Sequence, residues 1–189
     1  MHTHRMHAVA AIGFAAALAL TAAARAETPP PAPTPAPEIQ KFLAIAGTFE
    51  GDASYTPAGG QPMRFTLHHT NRVISGGFGL GCHEESDSPE MGHYEAETLF
   101  GWDVGGRKLH MFSVTTEPNT HDHAGRWTSP TQGRFRYEGV LHGKTYVEEI
   151  PFELVSANEY RFSATTRVGG KVTGVYEATM KRVDSMSNR

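Results

Sequence analysis

The sequence predicts an all-β protein, an antiparallel up-and-down barrel of about 8–10 strands with a short N-terminal capping helix. Three observations carry that reading. From Gly47 onward, apolar and polar residues alternate in short runs. Glycine, proline, asparagine and aspartate separate the runs, as hairpin turns require. The clearest run, Tyr160 to Val168, puts Tyr160, Phe162, Ala164 and Val168 on one face and Arg161, Ser163, Thr165 and Arg167 on the other. Neighbouring side chains on a strand point to opposite faces, so a period of two marks a half-buried sheet.

Residues 1–26 read as a signal peptide. His2, His4, Arg5 and His7 make a polar, basic start, Val9 to Ala24 is rich in alanine and leucine, and Ala24-Arg25-Ala26 is a small-x-small cleavage pattern. The apolar run is short and weakly apolar beside the roughly 20 residues that a spanning helix needs. The expectation is therefore a periplasmic or secreted chain with no membrane insertion after cleavage. Residues 27–37, ETPPPAPTPAP, form a proline-rich linker. Residues 38–183 are the barrel domain, long enough to bury a core without staples. Residues 184–189 read as a disordered tail. Cys82 is the only cysteine, so no intrachain disulfide can form.

Within the domain, Glu38 to Ala46 sets Ile39, Phe42, Leu43 and Ala46 at helical spacing, a segment suited to capping a barrel end. The first strand is Gly47 to Thr56, with Phe49 and Tyr55 on one face, followed by a turn at Pro57 to Gly60. Met63 to Asn71 and Val73 to Glu84 follow, the latter with Gly76, Gly77, Gly79 and Gly81, which suggest bulges. The remaining strands are His93–Asp103, Lys108–Thr116, His121–Thr128, Arg134–Leu141, Thr145–Val155, Glu159–Val168 and Lys171–Arg182. Gly105-Gly106, Gly143-Lys144, Ala157-Asn158 and Gly169-Gly170 supply the turns between them. Connections this short imply up-and-down neighbours.

The run Phe42-Leu43-Ala44-Ile45-Ala46-Gly47-Thr48-Phe49-Glu50-Gly51 resembles the opening of the DUF1579 family, a short helix running into a G-T-[WF]-x-G strand. The Gly101-Trp102-Asp103 turn and the strand ending at His123-Ala124-Gly125-Arg126-Trp127 fit the same family. In outline the chain is similar to lipocalin-like and nitrobindin-like calycin barrels. That resemblance implies a barrel of eight to ten strands with an internal cavity, and with it haem becomes conceivable at His123 or His69.

In such a barrel, polar residues on the apolar face become candidates for a site. His69 shares a face with Met63, Phe65 and Leu67. Cys82 runs with Ile74, Phe78 and Leu80, and reads as a small buried hydrophobe rather than a nucleophile. His121 and His123 share a face with Trp127, and Glu148 shares one with Tyr146, Ile150, Phe152 and Leu154. His110 falls with Phe112 and Val114, although Leu109 and Met111 blur that strand's faces. His121-x-His123 lets two imidazoles share one metal, with His69 or Glu148 as a third ligand. The opposing reading leaves them hydrogen-bonded to tyrosines or water.

Removing the leader leaves 15 basic against 20 acidic residues, with no Lys/Arg cluster, which argues against nucleic acid or an anionic membrane as partner. No nucleophile elbow, phosphate loop or H-E-x-x-H motif is present. The function the residues support is binding of a small apolar ligand in the lumen, with His69, Trp102, His121, His123, Trp127, Tyr146 and Glu148 as contacts. The alternative is a metal- or haem-binding protein, or an enzyme, built on the inward His/Glu cluster.

Overall fold

The computed structural model describes residues 32–117 and 120–183; the signal peptide and the C-terminal tail inferred above lie outside the described residues. One helix, α1 (Pro37–Leu43), precedes ten strands: β1 (Gly47–Pro57), β2 (Met63–Ile74), β3 (Gly79–Ser88), β4 (Gly92–Asp103), β5 (Lys108–Thr115), β6 (Thr120–Trp127), β7 (Gln132–Leu141), β8 (Lys144–Ser156), β9 (Glu159–Val168) and β10 (Lys171–Arg182). Each strand pairs antiparallel with its sequence neighbours, and β1 pairs with β10 from Phe49↔Arg182 to Pro57↔Gly174. That last ladder closes the barrel and removes both edges.

Pro37 opens α1, where its missing N–H costs nothing. The helix is shorter than Glu38–Ala46. Ala44–Ala46 instead turn the chain into β1, through Gly47 at φ 129. Arg182 at the end of β10 fastens this exit, donating from Nη1 to the Ala46 carbonyl at 2.7 Å and from Nη2 to the Ala44 carbonyl at 3.2 Å. Phe42 stacks on Phe100 at 5.2 Å and meets Trp127 at 5.1 Å and Phe152 at 5.3 Å. With Ile39 and Ile45 it makes an apolar plug in the end of the barrel where β1 begins and β10 ends.

Three further expectations need correction. The strand placed at Val73–Glu84 is broken: β2 runs on to Ile74, and a 3-10 turn at Ser75–Gly77 leads into β3. Ser75, Gly76 and Gly77 all take positive φ, which a strand cannot hold, and Phe78 comes out exposed rather than inward. Leu80 and Cys82 do face in, buried as expected. The β7–β8 hairpin turns at His142-Gly143, one residue earlier than Gly143-Lys144, because those two carry the positive φ of a tight hairpin. Gly169-Gly170 turn β9 into β10 with φ 56 and 80, as read from the sequence. On β5 it is Leu109 that is buried, while His110 pairs outside with Asp122 at 2.9 Å. No helix among the described residues is long and apolar enough to cross a membrane.

The plug yields the first prediction. Phe42→Ala removes a ring that is 3 % exposed, and should lower the unfolding free energy by about 3–5 kcal/mol in urea titrations. A loss under about 1 kcal/mol would show that the helix does not hold the barrel end.

Candidate functional site

Beneath the plug the barrel is hollow. The cavity measures about 680 Å³, within the usual range of about 300–1,000 Å³ for small-molecule sites. Its floor is apolar, formed by Phe42, Ile45, Phe100, Phe135 and Phe152. Toward the open end the lining turns polar, with Tyr55, Tyr94, Tyr146 and Tyr176 set among serines and threonines. A second depression, about 700 Å³, lies on the outer surface among Asp52, Arg64, Arg134, Glu153, Arg161 and Glu177. It is open to solvent and mixed in charge. Convergent chemistry belongs to the lumen.

Two polar clusters stand on the cavity wall. The first joins β2, β3 and β9. His69 and Glu84 are directly opposite in the β2–β3 register, and His69 Nε2 lies 2.9 Å from Glu84 Oε2. His69 Nδ1 reaches the Tyr160 hydroxyl at 2.6 Å. Asn71 donates to the Ile45 carbonyl at 3.0 Å and to Tyr160 at 3.4 Å, tying the cluster to the plug. Burial alone would push His69 toward its neutral form, but Cys82, Tyr160 and Glu84 around it outweigh burial and hold its pKa well above the ordinary value.

The second cluster joins β6 and β8. His121 and His123 are two residues apart and therefore on one face. Both address the same carboxylate oxygen, Glu148 Oε2, at 3.2 and 2.8 Å. Tyr137 stacks flat on His121, with ring centroids 4.0 Å apart and planes 12° from parallel, and Gly139 leaves room for that ring. Burial raises the Glu148 pKa; hydrogen bonds and charge from His123 and His121 more than reverse this, and the net direction is downward. His123 Nδ1 is buried without a hydrogen-bond partner. Around both clusters, burial followed by the nearby carboxylates lifts Tyr94, Tyr146 and Tyr176 above the ordinary phenol value. These tyrosines stay neutral and can donate to a ligand.

Of the candidates read from the sequence, His69, His121, His123, Tyr146 and Glu148 line the cavity. The two tryptophans do not. Trp127 is drawn to the helix, where its Nε1 donates to the Glu38 carbonyl at 3.1 Å and Lys41 sits over the ring at 4.4 Å. Trp102 packs against the core at the same end. The period-two rule placed both on the right face but says nothing about depth along the barrel. Glu84, Tyr160, Asn71, Tyr94 and Tyr176 were missed as site residues. Glu84 was readable, since it follows Leu80 and Cys82 at the same parity.

Haem, conceivable at His69 or His123, needs an imidazole nitrogen free for iron. His69 has both ring nitrogens engaged, while His123 has Nε2 on Glu148 and Nδ1 sealed in. The residues present do not fit haem.

No family model matches the chain, and no curated protein matches it. Solved structures do. Rv2717c from M. tuberculosis superposes with a TM-score of 0.59 at 12 % identity, over 80 % of this chain and 100 % of that one. The S-type phycobiliprotein lyase CPES from Guillardia theta gives 0.54 at 11 % identity, over 78 % of this chain and 94 % of that one. The fold is calycin-like. At such identities the likeness extends to the fold alone.

The opposite pKa directions predict opposite pH limbs, measured by urea unfolding with chelator present. Glu148 is depressed, so its stabilising contribution is present above the unfolded value of about 4.3 and is lost as pH falls through the folded value. His69 is raised, so its contribution is whole below about 6.5 and is lost as pH rises through the folded value. Glu148→Gln should cost about 1–3 kcal/mol at pH 7, a gap that closes in acid. The gap between wild type and His69→Gln should close in alkali instead. Gaps that stay constant with pH would refute both assignments.

Proposed function

We propose that this chain is an exported binding protein of the DUF1579 kind, which holds a small, mostly apolar molecule in its lumen with the polar end of that molecule against the His/Glu/Tyr girdle. One observation carries the reading: a cavity of about 680 Å³, open at one end, whose floor is aromatic and whose upper wall holds neutral phenols and paired carboxylates. Such a division suits an amphipathic ligand. Glu84 and Glu148 are already engaged by histidines, and the tyrosines are left as donors that suit an oxygen acceptor such as a carbonyl or hydroxyl. Membership of the DUF1579 family is supported by the helix-to-strand run Phe42–Gly51 and by the Gly101-Trp102-Asp103 segment. The exterior supports a soluble life after export. Asp52, Arg64, Arg134, Arg136 and Arg161 stand exposed on the outer face, the reverse of a lipid-facing barrel.

Two measurements test this. Native mass spectrometry of protein isolated from its own exported fraction should show a copurified organic molecule. Ala164→Trp, which puts a large ring into the cavity at a cost of about 1–3 kcal/mol, should release it. Empty wild-type protein, or retention by the variant, would end the lumen-binding reading. N-terminal sequencing of the same material should begin at or near Glu27, and an intact Met1 in the membrane fraction would refute export.

A further inference from the structure

We propose that His121, His123 and Glu148 form a binding site for a divalent transition-metal ion in the cavity wall, with zinc the ion that best suits the donors. Two imidazoles and a carboxylate are the nitrogen–oxygen set that zinc takes when further positions are left open, and that ferrous iron takes as a facial triad. The distances come close to what an ion requires. Ligand atoms about 2.0–2.1 Å from an ion lie about 3.0–3.4 Å from each other. Glu148 Oε2 is 3.2 Å from His121 Nδ1 and 2.8 Å from His123 Nε2, and all three donor atoms lie within 4.8 Å of one another. An ion here displaces only the protons the histidines now share with the carboxylate. Haem iron, by contrast, would have to compete with Glu148 for a single imidazole.

The surroundings favour a cation. Glu84, Glu117 and Glu148 all line the cavity and no lysine does, while Arg161 stands on the outer face, turned to Glu159. His69 and His93, further lining groups able to hold positive charge, are engaged with Glu84 and Asp87 respectively. The donors are also held in place, by a shared face of β6 and by the Tyr137 stack on His121. Coordination positions on the lumen side remain for water or for an oxygen of a bound organic molecule. One defect sets the expected strength. A metal-bound histidine ordinarily passes its second N–H to an acceptor, and the His123 Nδ1 has none. A missing outer partner costs about 10–100-fold in affinity, so the ion should be exchangeable rather than permanent.

A second group, Glu85, Asp87 and His93, also brings three donors together, but all three are exposed and compete with solvent. It serves as the control. The full chain, stripped by chelator, would be titrated with Zn²⁺ by calorimetry and with Co²⁺ by visible absorption. Wild type should show a site of one ion with the ligand-field bands of a nitrogen-bound Co²⁺. His121→Ala with His123→Ala should lower Zn²⁺ affinity by about 100-fold or more and abolish those bands. Glu85→Gln with Asp87→Asn should change neither, and the comparison subtracts any binding by His2, His4 and His7. Should the double histidine variant unfold by circular dichroism, Glu148→Gln replaces it, and its Zn²⁺ affinity should fall as well. The inference is overturned if wild type takes up no stoichiometric ion, or if the cavity variants bind as wild type does. Because no organic ligand is present, either outcome leaves the lumen-binding reading to stand or fall on mass spectrometry.

Discussion

Ten strands in one ring enclose more volume than the side chains of this chain fill, and most of the structure answers that constraint. Barrel diameter grows with strand number, and about eight strands already suffice to hold one small ligand. Here α1 fills one end, with Phe42 set among Phe100, Trp127, Phe135 and Phe152. Arg182 and Asn71 then lock the helix exit to β10 and β2. The core is therefore concentrated under the helix, and the other half of the lumen is left to polar residues. The void is a consequence of topology, whereas its chemistry is a consequence of sequence.

That chemistry is costly where it stands. Buried carboxylates and imidazoles lose hydration, and apolar replacements of a buried ion pair are often neutral or stabilising. Both clusters meet the cost by pairing: Glu84 with His69, and Glu148 with two histidines. Only His123 Nδ1 and the Tyr176 hydroxyl are left buried without partners among the described residues. A barrel needing nothing but stability would carry leucine at these positions. Burying charge at these positions is a cost that stability alone does not require.

The sequence made the barrel legible because alternation is local. Each strand declares its faces through its own residues, and hairpin glycines such as Gly169-Gly170 declare their turns by the φ they alone take easily. It failed where structure is not local. The break at Ser75–Gly77 looks like a glycine-rich strand, since bulge and turn share the same composition. Trp127 has the right parity, yet its depth is set by α1, a segment 89 residues away in the chain. The site was half legible for a related reason. His121, His123 and Glu148 each show as polar on an apolar face, but their meeting on one oxygen depends on curvature that carries β6 and β8 toward each other past β7.

The same curvature explains why the two clusters differ in character. In ring order, β2 and β3 stand across from β6 to β8, so the clusters occupy facing walls. On the first wall His69 is saturated by Glu84 and Tyr160, and Asn71, which donates to Tyr160 and to the Ile45 carbonyl, ties them to the plug. Removing it would disturb the fold before it disturbed any ligand. On the second wall the two imidazoles share a single acceptor, and one of their nitrogens is left with no partner. Hydrogen bonding there is underused, although the rings are rigidly held. A saturated cluster behaves as structure and an undersupplied one as a site. The unpartnered nitrogen therefore lies on the β6–β8 wall, beside two imidazoles that share one carboxylate oxygen.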